Sequence, residues 1–177
     1  MIILECEHIK LIALTGPLLE LLAKDPVNFE KELQLNPNKL ELDELFTNGL
    51  QHALTTQCIP NVSRFPNEYK WFTNWIMVYK KENKYVGGIG TNGLPNEIGE
   101  IMVGYFVDAK YRRLGIATDA VRLLTNHLFE DQRLKTIVAT IPIGHVASER
   151  TVSRNGFHVD GELEEDGMHL NRWILAR

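Results

Sequence analysis

Val103-Gly104-Tyr105-Phe106-Val107-Asp108-Ala109-Lys110-Tyr111-Arg112-Arg113-Leu114-Gly115-Ile116-Ala117-Thr118-Asp119-Ala120 is the stretch on which the reading of this chain turns. It places a β-rich run, a compact turn and a helix start in immediate succession. Downstream, Ala117, Ala120, Val121, Leu124 and Leu128 fall on one apolar face, so the spacing predicts a helix over Ile116–Phe129. The first turn of such a helix leaves backbone N–H groups unpaired and presents a dipole that favours anions. Gly115 and Ala117 keep the approach uncrowded, Thr118 adds a hydroxyl, and Arg112 and Arg113 can reach phosphate oxygens. The Arg112–Thr118 turn, Leu114 and Ile116 included, is therefore a candidate pyrophosphate seat. An ordinary strand–turn–helix corner would also use its glycine, and the stretch alone does not separate the two. It matches neither a Walker loop nor Gly-x-Gly-x-x-Gly.

Working outward, Trp75–Lys80 and Lys84–Gly90 read as strands joined by a polar turn. Asn92–Asn96 makes the next turn and Ile98–Asp108 a long third strand, which gives an antiparallel meander. After the helix, Thr136–Ile141 is β-rich and Ala147–Arg154 is a short helix closed by Asn155-Gly156. Phe157–Glu164 and Met168–Leu175 form a final antiparallel pair. Towards the N-terminus, Ile3–Ala13 reads as one strand, and Pro17 opens a short helix over Leu18–Ala23. Asp25–Lys39 reads as loop, with Pro26, Asn36 and Pro37 as breakers. Leu42, Leu45, Phe46, Leu50 and Leu54 recur at helical spacing, and Glu68–Phe72 suggests another short helix. Trp71 and Trp75 read as core. The class is α+β: one mixed, twisted, mostly antiparallel sheet flanked by helices, in a single domain over 1–177.

Bulk properties narrow the function. The chain has 177 residues, 44% hydrophobic and 24% charged, which suits one globular domain with a real core. A net charge of −4 with no basic block argues against a nucleic-acid partner. Two cysteines without short spacing predict free thiols, and the scattered histidines show no ligand spacing, so no metal site is expected. The Met1–Glu7 start lacks a signal-peptide pattern and no apolar run reaches membrane-spanning length, so a cytoplasmic protein without a membrane partner is expected.

Arg112-x-x-Gly115-x-Ala117 resembles the acetyl-CoA signature of the GNAT superfamily, with aliphatic Val107 upstream at the strand end. Gly104-Tyr105, Tyr111-Arg112 and Gly115–Ala120 resemble the RimJ/RimL-like branch in particular. A second block agrees: Ser148 followed by Asn155-Gly156-Phe157 is similar to that branch's Asn-x-x-Ser…Gly-Phe pattern. The resemblance covers about Trp75–Leu175, with Ile3–Ala13 fitting the first strand. Asp25–Phe65 matches nothing.

The resemblance implies an N-acetyltransferase with acetyl-CoA as cosubstrate and direct attack of an amine on the thioester. The acceptor would be a protein N-terminus, an amino acid or a small amine. A non-catalytic coenzyme A-binding module of the same fold is the alternative, and edge strands leave room for a homodimer. Family members splay two neighbouring strands at a bulge. Here that implies a backbone N–H of Tyr105 or Phe106 at the thioester carbonyl and Val107 against the pantetheine arm. Glu100, with the parity of Met102, Gly104 and Phe106, is the candidate base; Glu97 reads as a turn residue. The usual helix tyrosine is replaced by Val152, which leaves Ser148 as the group beside the sulfur. A serine there could equally satisfy a backbone N–H at the helix start. His145 replaces the family asparagine and can still donate to the pantetheine chain.

Overall fold

Apolar alternation gives the chain eight strands: β1 (Ile3–Glu5), β2 (Ile9–Ala13), β3 (Trp75–Tyr79), β4 (Lys84–Thr91), β5 (Glu100–Val107), β6 (Thr136–Pro142), β7 (His158–Glu165) and β8 (Met168–Ala176). The computed structural model describes residues 1–42 and 44–177, with the side chains of Glu44, Leu45, Phe46 and Asn48 outside the described set. The strands join in one sheet of order β1-β2-β3-β4-β5-β6-β8-β7. Every pairing is antiparallel except β5 with β6, the two strands linked through a crossover helix.

Among the described residues six α-helices cover the sheet: α1 (Gly16–Lys24), α2 (Pro26–Glu32), α3 (Glu44–Ala53), α4 (Ile59–Arg64), α5 (Ile116–Leu128) and α6 (Val146–Arg154). The crossover helix α5 lays Ile116, Ala120, Val121, Leu124 and Leu128 on one face of the sheet, against Trp75, Met77, Ile101 and Val103. The opposite face carries Leu14, Ile76, Val78 and Tyr85 under Leu19, Leu22, Phe29, Leu54 and Val62 from α1, α2 and the α3–α4 region. Strand alternation divides β5 between the two layers. Ile101 and Val103 are buried towards α5, while Glu100, Met102 and Gly104 point the other way. Trp71 and Trp75 are fully buried, as read from the sequence.

The expected elements mostly stand, with differences that have local causes. Ile3–Ala13 is two strands rather than one, because the polar Glu7-His8 pair turns the chain and the Cys6 N–H donates to the Ile9 carbonyl at 3.0 Å. Asp25–Lys39 contains a helix that the prolines hid. Pro26 sits at the first helical position, where no N–H is needed, and the Asp25 carboxylate accepts from the Asn28 N–H at 3.0 Å. The helix expected over Leu42–Leu54 starts at Glu44 and continues through a π turn (Leu54–Cys58) into α4. Of its expected apolar face, Leu54 is buried, whereas the Leu45 and Phe46 side chains lie outside the described residues. β5 begins at Glu100 rather than Ile98, since Gly99 takes a positive φ of 82° and turns the chain into the strand. Among the described residues no helix is long and apolar enough to cross a membrane.

His127 on α5 packs edge-on against Trp75, with ring centroids 5.7 Å apart, and its Nε2 is buried without a hydrogen-bond partner among the described residues. Burial, helped by the Lys70 charge and opposed by Glu130, holds its pKa below the ordinary 6.5. The folded state thus takes up this proton less readily than the unfolded chain, so stability falls as pH drops below that ordinary value. His127→Phe should remove that component. Urea unfolding of both proteins from neutral pH to about pH 5 should show the parent losing more stability than the variant. Parallel losses would contradict the assignment.

Candidate active site

The parallel ladder between β5 and β6 holds for three residue pairs, Glu100–Thr136, Ile101–Ile137 and Met102–Val138, and then stops. β5 runs on to Val107 paired only with β4, and β6 runs on to Pro142 paired only with β8. Between them lies a gap with backbone on both banks. Alternation decides which groups face it. The Asp108 N–H donates to the Val86 carbonyl at 2.9 Å, so in the same register Phe106 and Gly104 exchange their hydrogen bonds with Gly88 and Gly90. Tyr105 and Val107 therefore turn their N–H and carbonyl groups into the gap. On the other bank, the Thr136 N–H meets the Gly99 carbonyl at 3.1 Å, and the same parity turns the Thr140 backbone inward. The expected bulge is absent from the β4–β5 pairing; a register shift occurs instead between β3 and β4, beside Met77 and Val78. Divergence of two half-sheets opens the gap here.

Val107 leads directly into the turn ahead of α5. Gly115 is the N-cap of α5 at φ 78°, a conformation that suits glycine, and a Cβ there would meet nothing within 4 Å. The first helical hydrogen bond comes from the Asp119 N–H to the Gly115 carbonyl, which leaves the Ile116, Ala117 and Thr118 N–H groups without protein acceptors among the described residues. Gap and helix terminus open into one cleft of about 730 Å³. Its lining includes Tyr105, Phe106, Val107, Arg112, Arg113, Gly115, Ile116, Ala117, Thr118, His145 and Ser148. Leu114 is exposed and absent from that lining.

A second hollow of about 450 Å³ lies on the α3 side of the sheet and shares Tyr105 and Phe106 with the cleft. Gly88, Gly90 and Gly104 form its floor, so the strands present little but backbone there. A Cβ at Gly88 would come within 2.7 Å of Asn74 Oδ1 and 2.8 Å of the Phe106 ring, whereas at Gly104 it would enter open space. No charged side chain is among the described residues that line it.

α6 brings the second motif to the cleft. Ser148 is third in the helix, and the N-cap is His145, which is exposed. The Tyr105 hydroxyl donates to the Ser148 carbonyl at 3.3 Å. Burial raises the pKa of this phenol, opposed by hydrogen bonds to Ser148 and Thr151, so it keeps its proton at neutral pH. Val152, where a helix tyrosine was expected, is fully buried core. Tyr105 thus delivers a hydroxyl to α6 from the strand. Patterns in the sequence placed Leu42 on a helix face and did not single out Arg150, Thr151 or Arg154; all four also line the cleft.

Glu100, the candidate base, is not among the described residues that line this cleft. It lies five residues before Tyr105, roughly 17 Å along an extended strand. Both its carboxylate oxygens accept from Arg172 Nη2, at 2.8 and 2.9 Å, and Arg172 also pairs with Asp160. Its parity with Met102, Gly104 and Phe106 is as read, but the residue serves as a clamp across β5, β8 and β7. Among the described residues no group of three or more His, Cys, Asp and Glu could hold a metal ion.

The sheet is thus split by a gap whose open end meets an amide-rich helix terminus. The family model of the acetyltransferase (GNAT) domain matches residues 36–158, and the chain belongs to that family of acetyltransferases. It is 27% identical over 176 residues, 99% of each chain, to the uncharacterized N-acetyltransferase YjdG of Bacillus subtilis (strain 168). In fold it is similar to the ribosomal-protein-S5-alanine acetyltransferase of Vibrio fischeri, with a TM-score of 0.70 and 18% identity over 99% of this chain and 97% of that one. It is similar also to RimL, the ribosomal L7/L12 α-N-protein acetyltransferase, in complex with coenzyme A, with a TM-score of 0.70 and 16% identity over 99% and 98%.

The Glu100–Arg172 clamp makes a prediction about folding. Each side chain is about a quarter exposed, so Glu100→Gln and Arg172→Met should each lower stability by about 1 kcal/mol. The double variant should cost less than the sum, because both changes remove one interaction. Urea unfolding measures this, and parental stability in Glu100→Gln would contradict it.

Proposed function

We propose that the chain transfers the acetyl group of acetyl-CoA directly to a primary amine, with residues 1–177 working as one unit. The observation that carries this reading is the continuity of the β5–β6 gap with the unpartnered first turn of α5 in a single cleft. One end offers backbone donors for a thioester and an amide-bearing chain, and the other offers amides for a diphosphate. Coenzyme A joins these chemistries in one molecule, and the coenzyme A complex of the structurally similar RimL is in keeping with this.

In this reading the Ile116, Ala117 and Thr118 amides hold the pyrophosphate, with Arg112 and Arg113 beside them and Leu114 and Gly115 shaping the turn. Val107 and Thr140 offer strand-like pairing to the pantetheine arm, and His145 contacts the same arm from the cap of α6. The Tyr105 N–H points at the thioester oxygen and stabilises the negative charge that gathers there as the amine adds. The glycine-floored hollow admits the amine from the opposite face of the sheet. Its apolar lining favours the neutral, nucleophilic form. The new C–N bond replaces the C–S bond, the amine proton leaves to water, and Ser148 or the Tyr105 hydroxyl supplies the thiolate with a proton. The acceptor is an amine of a small molecule or a protein N-terminus.

The test combines binding and turnover. Acetyl-CoA and coenzyme A should raise the thermal midpoint of the parent, and Gly115→Glu should abolish the shift through bulk and charge at the phosphate seat. Thiol release over a panel of small amines and peptide N-termini should identify an acceptor. On it, the Tyr105→Phe/Ser148→Ala double variant should turn over about a hundredfold more slowly with cofactor affinity retained. Absence of any shift with both ligands would overturn the reading. A shift without turnover on any amine would favour a binding module.

A further inference from the structure

We infer that Arg150 and Arg154 form a second anion seat, distinct from the α5 amides, which takes the 3′-phosphate of coenzyme A. This rests on the acetyl-CoA reading above and assigns part of the ligand to residues that neither motif includes.

The chain has nine arginines. Five lie away from the cleft and are already engaged. Arg122 pairs with Asp119, Arg133 with Asp131 and Glu68, and Arg172 with Glu100 and Asp160. Arg177 donates to the Phe129 carbonyl, and Arg64 sits over the Phe65 ring. The other four, Arg112, Arg113, Arg150 and Arg154, all line the cleft. Among the described residues no carboxylate lies within 4.0 Å of any of these four; Arg112 makes only a long 3.4 Å contact from Nε to the Val107 carbonyl. In a protein of net charge −4, four guanidinium groups without a carboxylate partner among the described residues are thus gathered at one place.

Their arrangement follows the expected path of the ligand. At its N-terminal end α6 carries Ser148, whose carbonyl receives the Tyr105 hydroxyl, so this end faces the reacting centre. At the C-terminal end Asn155 Nδ2 donates to the Thr118 carbonyl at 3.2 Å and to the Thr151 carbonyl at 2.9 Å. That contact pins the last turn of α6 to the first turn of α5, and Arg154 is the residue beside it. Passing from Ser148 to Arg154 therefore leads from the sulfur end to the phosphate end of the cleft. Arg150 and Arg154 stand one turn apart on the same side of the helix, where like charges repel unless an anion lies between them. The neighbouring acid does not relieve this, because Glu149 Oε1 accepts from the Gly144 N–H at 3.0 Å.

The ligand chemistry follows by elimination within the cleft. A diphosphate is served by the α5 amides with Arg112 and Arg113. Two further planar, permanently charged groups suit a phosphate monoester, a dianion whose oxygens match bidentate donors. Coenzyme A carries such a monoester on its ribose, and 3′-dephospho-coenzyme A lacks it while keeping every other feature.

The experiment is a calorimetric titration of the parent and the Arg150→Gln/Arg154→Gln double variant with each of these two ligands, after thermal unfolding has shown both proteins folded. The parent should bind coenzyme A about tenfold more tightly than its dephospho form at moderate ionic strength. The double variant should bind the dephospho form as the parent does and lose the preference for coenzyme A. Equal affinity of the parent for both ligands would overturn the inference. So would equal weakening of both ligands in the variant, which would place these arginines at the pyrophosphate instead. Binding of neither ligand to the parent would overturn the acetyl-CoA reading itself, a result distinct from either of these.

Discussion

The divergence of β5 from β6 after Met102 and Val138 is the constraint on which the rest of the molecule depends. A parallel pair buried in a sheet ordinarily satisfies its backbone along its length, because an unpaired buried amide costs about as much as a lost hydrogen bond. Here β4 holds one strand and β8 the other, so the two half-sheets part and the Tyr105, Val107 and Thr140 backbones face the gap without a strand partner among the described residues. The two hydrophobic layers make this tolerable. α5 packs on both strands through Ile101, Val103 and Ile137.

The same divergence organises the electrostatics. It sets the end of β5 beside the α5 N-terminus, where three amides lack protein acceptors among the described residues and Asp119 is already occupied by Arg122. α6 closes the other side and brings Tyr105, Ser148 and two arginines to the same cleft. The face reached through the gap is built from the opposite material: glycine backbone, Leu50, Ala53 and Phe106, with no charge among its described lining residues. A polar side and an apolar side meet at Tyr105 and Phe106. That polarity suits a reaction in which an anionic donor and a deprotonated amine arrive from opposite faces.

How much of this the sequence disclosed depends on the range of the interactions. The strand–turn–helix corner at Val103–Ala120 was legible because Gly115, the apolar period of α5 and the β-branched end of β5 are local signals. The parity of β5 was legible for the same reason. The first strand was misread as continuous because Glu7-His8 lacks glycine or proline to mark its turn. α2 was missed because Pro26 at a first helical position looks like a breaker until Asp25 is seen to cap the helix. The ion pair of Glu100 was not legible because its partner, Arg172, is 72 positions away and joins it only through the β6–β8 pairing. Likewise, nothing local marks Arg150 and Arg154 as cleft residues. Their role emerges only when Asn155 ties α6 to Thr118.

The central claim, that the open β5–β6 edge and the first turn of α5 receive one ligand, is tested most directly by amide hydrogen exchange with and without acetyl-CoA. The account predicts added protection in two segments: Tyr105–Thr118, spanning the gap and the helix terminus, and the β6 end around Thr140. Amides of β1 and β2 should exchange unchanged. Protection absent from both segments, or confined to the sheet's far edge, would contradict it.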